Sequence, residues 1–217
     1  MASIDIKEAL TAYEEEPITR QMMTSLLMDY KRPNDKVSEM LASGTLLQLK
    51  RGLYQPGPGL KIRGPHPFLV ANILYGPSYV SMESALSYWG MIPERVYETS
   101  AVTTGRGRRY DTKAGVFSYT RMSLPYYALG IRRVTLSERQ AILIASPEKA
   151  LCDKIVTTAG LLLRSEKQTR ELLLDDLRIS PEWLGKLAPE TIRRWIQHAP
   201  KQSSLQILTD TLENRRL

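Results

Sequence analysis

Apolar positions in the first sixty residues fall first at helical spacing and then in alternation. Ile4, Ile6, Ala9, Leu10 and Tyr13 gather on one face of a helix. Glu14-Glu15-Glu16-Pro17 ends it, because a residue before proline is biased away from the helical region. Thr19 is the expected N-cap of a second helix carrying Met22, Met23, Leu26 and Leu27, which Lys31-Arg32-Pro33 breaks. Asn34 is expected to cap a third, short helix with Val37, Met40 and Leu41 as its apolar face, closed by Gly44. Leu47 and Leu49 then alternate with polar residues, Lys50-Arg51-Gly52 makes a basic turn, and Leu53-Tyr54 starts back. The pattern predicts three helices followed by a two-stranded ribbon.

Punctuation follows. The stretches QPGPG (from Gln55) and GPHP (from Gly64) hold no helix or strand interior, so a boundary is expected near Gly64, dividing 1–64 from 65–217. Beyond it the pattern is mixed. Phe68–Leu74 reads as a helix ended by Tyr75-Gly76-Pro77. Ser81 is the expected cap of a helix through Trp89, with Ala85, Leu86 and Trp89 on one side and Gly90 past its end. Glu98–Thr104, Gly115–Met122 and Gln140–Ala145 read as strands, with Tyr126–Val134 as a further one. Ser146-Pro147-Glu148 joins a hydroxyl cap, a proline that needs no N–H and an acid at the positive helix end. Ser180-Pro181-Glu182 repeats that start. From Glu166 onward the signal is helical. The expected class is α+β: a winged helix-turn-helix unit, then a mixed α/β core to about residue 160, then helices.

Charge gives this outline a chemistry. With 42% hydrophobic and 24% charged residues the composition is that of a globular protein, and the net charge of +7 is compatible with an anionic partner or with a plain solvated basic surface. Between Pro17 and Gly64 the basic residues are Arg20, Lys31, Arg32, Lys36, Lys50, Arg51, Lys61 and Arg63, against only Asp29, Asp35 and Glu39. In a helix-turn-helix the second helix presents its N-terminal residues to base edges in the major groove. That assigns double-stranded DNA as partner. Lys31, Arg32, Lys50 and Arg51 stand at the phosphates, and Asn34 and Lys36 are placed to read bases. Each has an ordinary alternative: Asn34 as a cap, Lys50-Arg51 as an exposed turn. Asp35 and Glu39 would repel phosphate, which keeps open a winged helix that docks a protein. Arg106, Arg108 and Arg109 in GRGRRY offer a second phosphate-contact loop, or a plain solvent-exposed basic turn.

Catalytic chemistry is not assembled by these residues. His66 and His198 have no second histidine or cysteine at ligand spacing, which argues against a zinc site. Cys152 is the only cysteine and lies in the apolar-periodic run ALCDKIV, where a buried, inert thiol is expected. Glu148-Lys149 and Asp153-Lys154 suggest a metal-dependent nuclease. The simpler reading gives Glu148 to the helix dipole and leaves the other three in solvent. No enzyme activity, metal or cofactor is expected. The N-terminus lacks the features of a secretory signal and the longest apolar runs, such as AILIA from Ala141, are far shorter than a membrane span, so a cytoplasmic protein is expected.

Four phrases, in order, carry a family resemblance: LLQLKRGLYQPG, PSYVSMESALSYWGMIPE, TSAVTTGRGRRYDTKAGVFSYTRM and IASPEKALCDKI. Together they resemble the AbiEi-type antitoxins, over most of the chain to about Val156, with SMESALSYWGMIPE and ASPEKALCD the most specific. The resemblance implies a two-domain antitoxin of a type IV toxin–antitoxin system of the abortive-infection kind. Its winged helix would repress the operon's own promoter at inverted repeats. Its C-terminal domain would counteract a nucleotidyltransferase-like toxin without a stable complex. DNA-contacting positions carry over as Lys31, Arg32, Lys36, Lys50 and Arg51, and palindromic sites imply a homodimer.

Overall fold

The computed structural model describes residues 6–214. The chain opens with α1 (Ile6–Thr11), β1 (Ile18–Thr19), α2 (Arg20–Leu26), α3 (Pro33–Ala42), β2 (Leu46–Lys50) and β3 (Leu53–Pro56). The ribbon is three-stranded, not two-stranded: β1 adds to β3 in the antiparallel order β1-β3-β2. Ile6, Leu10, Ile18, Met23, Leu27, Met40 and Leu46 form its buried core. Ile4, expected on the first helix, lies outside the described residues.

Local chemistry explains the boundaries. The Thr19 hydroxyl accepts from Met22 N at 3.3 Å and starts α2. Gly44, at φ +72°, turns the chain out of α3. Asn34 is not the cap of α3. Pro33 takes the first helical position with Arg32 before it, and no side chain caps this end.

A six-stranded sheet follows, built from β4 (Ser78–Val80), β5 (Glu98–Thr103), β6 (Arg108–Thr112), β7 (Gly115–Arg121), β8 (Ile131–Thr135) and β9 (Ala141–Ala145). Its order is β6-β7-β5-β4-β9-β8, parallel at β5/β7 and β4/β9 and antiparallel elsewhere. The expected strand at Tyr126–Val134 begins instead with a 3₁₀ turn, Tyr126–Ala128, and the strand proper is β8. Helix α4 (Pro67–Leu74) covers one face, where the hydroxyls of Tyr119 and Ser78 both donate to Ala71 O. At the short β4/β9 junction the Asn72 amide donates to Ser78 O and Leu143 O and accepts from Leu143 N, bridging the two strands. Helices α5 (Met82–Tyr88) and α6 (Pro147–Thr157) pack against each other on the other face.

The C-terminal helices pack around α6. They are α7 (Glu166–Arg170), continued by a π-helical segment at Glu171–Asp176, then α8 (Pro181–Lys186), α9 (Pro189–Trp195) and α10 (Gln202–Glu213). Ser146 and Ser180 cap α6 and α8 through Lys149 N and Trp183 N, as their sequences predict. Lys201 closes the other end of α6 by donating to the carbonyls of Ile155, Thr158 and Leu161 at 2.6–3.0 Å. The whole is a mixed α/β chain with ten α-helices and two sheets among the described residues.

Several contacts join the N-terminal unit to the larger core. Leu49 and Leu53 belong to that core together with Val70 and Leu74. The Ser137 hydroxyl donates to the Glu15 carboxylate, and Arg139 donates to Ala12 O.

Candidate nucleic-acid interface

The start of α3, the start of α2 and the β2–β3 turn meet around one groove of about 550 Å³. Arg20, Asn34, Ser38, Arg51 and Tyr54 line it. Arg20 N donates to Gly52 O at 2.8 Å, and Gly52 stands at φ +78°, so the turn is held against the head of α2 by its backbone. Glycine suits that conformation because it carries no Cβ penalty. Arg20 and Arg51 are exposed, and neither makes an ion pair among the described residues. Arg20, a basic residue outside the set expected at DNA, is brought here by its place directly after the capping Thr19.

The remaining expected contacts are distributed less simply. Lys31, Arg32 and Asn34 are exposed at the start of α3. Arg32 lies 3.7 Å from Asp35, and Lys36 donates to Glu39 at 2.8 Å while sitting over the Tyr30 ring, so the two acids are matched within the helix. Lys50 is the departure. Its ammonium donates to Leu74 O at 2.6 Å, at the carbonyl end of α4, where a cation is favoured by both hydrogen bonding and the helix dipole. It therefore ties the ribbon to the second unit, and Arg51 is the cation left at the turn.

GRGRRY is not simply a loop. Arg108 and Arg109 lie in β6 and point to opposite faces, while Arg106 sits in the preceding turn. Arg109 pairs with Glu98. Arg108 stacks over Tyr75 and Tyr110.

Two of the three α6 residues expected in solvent, Lys149 and Asp153, are buried instead, and Lys154 is only partly exposed. Lys149 and Asp153 are wholly buried, with Lys149 Nζ 2.9 Å from Asp153 Oδ1. Lys149 also donates to Tyr126 O at 3.0 Å and lies 3.2 Å above the Tyr126 ring. Asp153 Oδ2 accepts from the hydroxyls of Tyr79 (2.9 Å) and Ser81 (2.7 Å). Ser81 is thus occupied across the fold and does not cap α5. Glu148 is buried too, accepting from the Ser146 hydroxyl and from Ala188 N. Lys154 pairs with Glu83.

Burial sets the protonation preferences of this cluster. It pushes the Tyr79 hydroxyl far above its ordinary value, with the Asp153 carboxylate adding to the effect, and it raises Tyr126 in the same way. Burial draws Lys149 below the usual lysine value against the pull of Asp153, and raises the Cys152 thiol, which is fully enclosed as expected. Among the described residues no group of three or more histidine, cysteine or carboxylate side chains is placed to hold a metal ion. No helix there is long and apolar enough to cross a membrane.

The segments SMESALSYWGMIPE and ASPEKALCD meet in this region. The Ser81 hydroxyl donates to Asp153, and Trp89 Nε1 donates to Ala145 O at 2.8 Å, while Glu83 pairs with Lys154, the residue just after the second segment.

A solved structure shares this fold. It is the crystal structure of the RV2827C protein from Mycobacterium tuberculosis, similar at a TM-score of 0.63 and 16% identity over 95% of this chain and 75% of that one. At that identity the likeness is one of fold. No family model and no curated protein sequence matches the chain.

Proposed function

We propose that the protein is a duplex-DNA-binding regulator of its own promoter, acting at inverted repeats as a dimer, and the antitoxin to a nucleotidyltransferase-like toxin. In this reading residues 1–64 are a winged helix, with α3 the recognition helix and the β2–β3 turn the wing, and residues 65–217 are the antitoxin domain. The observation that carries it is the groove in which α3 and the turn face each other. Two neutral hydrogen-bonding side chains of α3, Asn34 and Ser38, line it together with two cations, Arg20 and Arg51. That arrangement separates base reading from phosphate contact as DNA recognition requires. The antitoxin half rests on the resemblance, and its support is that the two most specific phrases are joined by hydrogen bonds, Ser81 to Asp153 and Trp89 to Ala145.

A second reading has its own observation. Asp35 and Glu39 are paired with Arg32 and Lys36, so the outer surface of α3 is close to neutral, as a protein-docking helix would be.

A reporter fused to the region upstream of the protein's own reading frame decides between them. Repression by the full chain, relieved by Arg20→Ala with Arg51→Ala at unchanged protein level, is expected. Unchanged expression with and without the full chain contradicts DNA regulation and favours the docking surface.

A further inference from the structure

The basic surface of the ribbon continues onto the second unit. β6 is an edge strand of the large sheet and lies beside β2. Its alternation divides its charges: Arg109 and Asp111 face one side, Arg108 and Tyr110 the other. On Arg108's side the rings of Tyr75, Tyr110 and Tyr119 form a cluster with centroids 5.2–6.1 Å apart. The Arg108 guanidinium lies 5.2 Å from the centre of Tyr75 and 5.9 Å from that of Tyr110. Tyr75 directly follows Leu74, whose carbonyl holds Lys50, so the ribbon's lysine and Arg108 meet at the same end of α4. Arg121 ends β7 on the side of Tyr119, opposite Thr103, and Arg106 precedes β6. Both are exposed, and neither makes an ion pair among the described residues. From residue 99 to residue 137 the chain carries a single acid, Asp111, which faces the other side.

We propose that this face of β6 and β7 binds the phosphate backbone of duplex DNA running past the ribbon, through Arg106, Arg108 and Arg121. The inference rests on the DNA-binding reading above and extends its footprint beyond α3 and the turn. Held against the rings, with Nη1 donating to the Tyr110 hydroxyl at 3.3 Å, the guanidinium is pre-organised and has its other N–H groups for a phosphate, so it loses little rotamer freedom on meeting one. Tyr75 and Tyr110 lie half-buried beneath it and Tyr119 is buried, which directs the site to backbone and not to base stacking. Arg109 has no part in it, being paired with Glu98 on the opposite face.

The test is fluorescence anisotropy of the full chain on upstream duplexes of about 12 and about 30 base pairs, the shorter spanning little more than one helical turn. Wild type is compared with Arg106→Ala/Arg121→Ala and with the same pair plus Arg108→Gln. On the long duplex the triple variant is expected to bind at least about tenfold more weakly at low salt, with a log–log salt slope shallower by about 2 to 3, one for each lost contact. On the short duplex all three proteins are expected to bind alike. The double variant leaves the tyrosine cluster intact and keeps the test valid if Arg108→Gln disturbs the fold. Identical affinities on the long duplex overturn the proposal while leaving the α3 interface standing. Equal losses on both duplexes overturn it too, by placing these arginines within the ribbon's own footprint. Failure of wild type to bind either duplex overturns the DNA-binding reading and this extension together. Preference for single strands over both duplexes contradicts the assignment to duplex backbone.

Discussion

Lys149 and Asp153 stand one turn apart on α6 with their charged atoms 2.9 Å apart and neither side chain exposed to solvent. The pair is held at the junction of the sheet and the C-terminal helices, because Asp153 takes Tyr79 and Ser81 from the sheet side while Lys149 takes Tyr126 O. Removing one partner strands a buried charge, which costs about 3–5 kcal/mol. Lys149→Met alone and Asp153→Leu alone are therefore expected to lower unfolding stability by that amount. The double variant is expected to recover part of the loss, but not all of it, because the Tyr79 and Ser81 hydroxyls are then left unpaired. Urea unfolding measures all three. A single variant within about 1 kcal/mol of wild type contradicts the role given to the pair.

His66 gives the fold a pH dependence. Its Nδ1 accepts from Phe68 N at 3.2 Å and caps α4, so the cap needs that nitrogen unprotonated. Burial, and secondarily the charge of Arg63, holds its pKa below the ordinary 6.5. Between the folded and unfolded values the unfolded chain binds more protons. The cap's contribution is thus complete above 6.5 and is lost as pH falls through the lower folded value. Urea midpoints across this range are expected to fall faster for wild type than for His66→Asn, which caps without titrating there, while His66→Ala loses about 1 kcal/mol at neutral pH. Parallel curves for wild type and His66→Asn contradict the assignment.

Gly130 is the tightest contact above the buried pair. At φ +70° it lies where a Cβ would come within 2.7 Å of the Trp195 ring and 2.8 Å of Lys149 Cβ. Gly130→Ala is expected to destabilise by about 1–3 kcal/mol, from backbone strain and overpacking together. A thermal midpoint unchanged from wild type would show that Trp195 can move aside.

The proposed DNA interface divides by role. Arg51→Ala is expected to weaken binding to every duplex similarly and to make the salt slope shallower by about 1. Asn34→Ala and Ser38→Ala are expected to act on sequence preference, by about 1–3 kcal/mol between preferred and scrambled duplexes. Competition assays with the two duplexes separate these outcomes.

Much of the fold was legible where a local rule decided it. Thr19, Ser146 and Ser180 cap as their sequences say, and Gly44 and Gly90 turn the chain at helix ends with positive φ. The failures share a cause: a distant partner outcompeted the local one. Ser81 looks like a cap, yet its hydroxyl is taken by Asp153, 72 residues away. Lys149 and Asp153 looked solvated because charged residues usually are, while their spacing of one helical turn was compatible with the pair they form. β6 was hidden by its own charge, since RRYDT becomes a strand only when β7 pairs with it. Lys50 belonged to an exposed turn until α4 placed a carbonyl within its reach. The cations at Arg20, Arg51 and the start of α3 were legible as a basic region; the groove that groups Arg20 and Arg51 with Asn34 and Ser38 depends on how α2 docks against the turn.

The most direct measurement is fluorescence anisotropy of the full chain on duplex from its own upstream region and on a scrambled duplex, at low and near-physiological salt. Tight binding that weakens steeply with salt and still prefers the upstream duplex at the higher salt is expected of a promoter-binding regulator. Equal affinity for both duplexes, or none for either, would contradict that role.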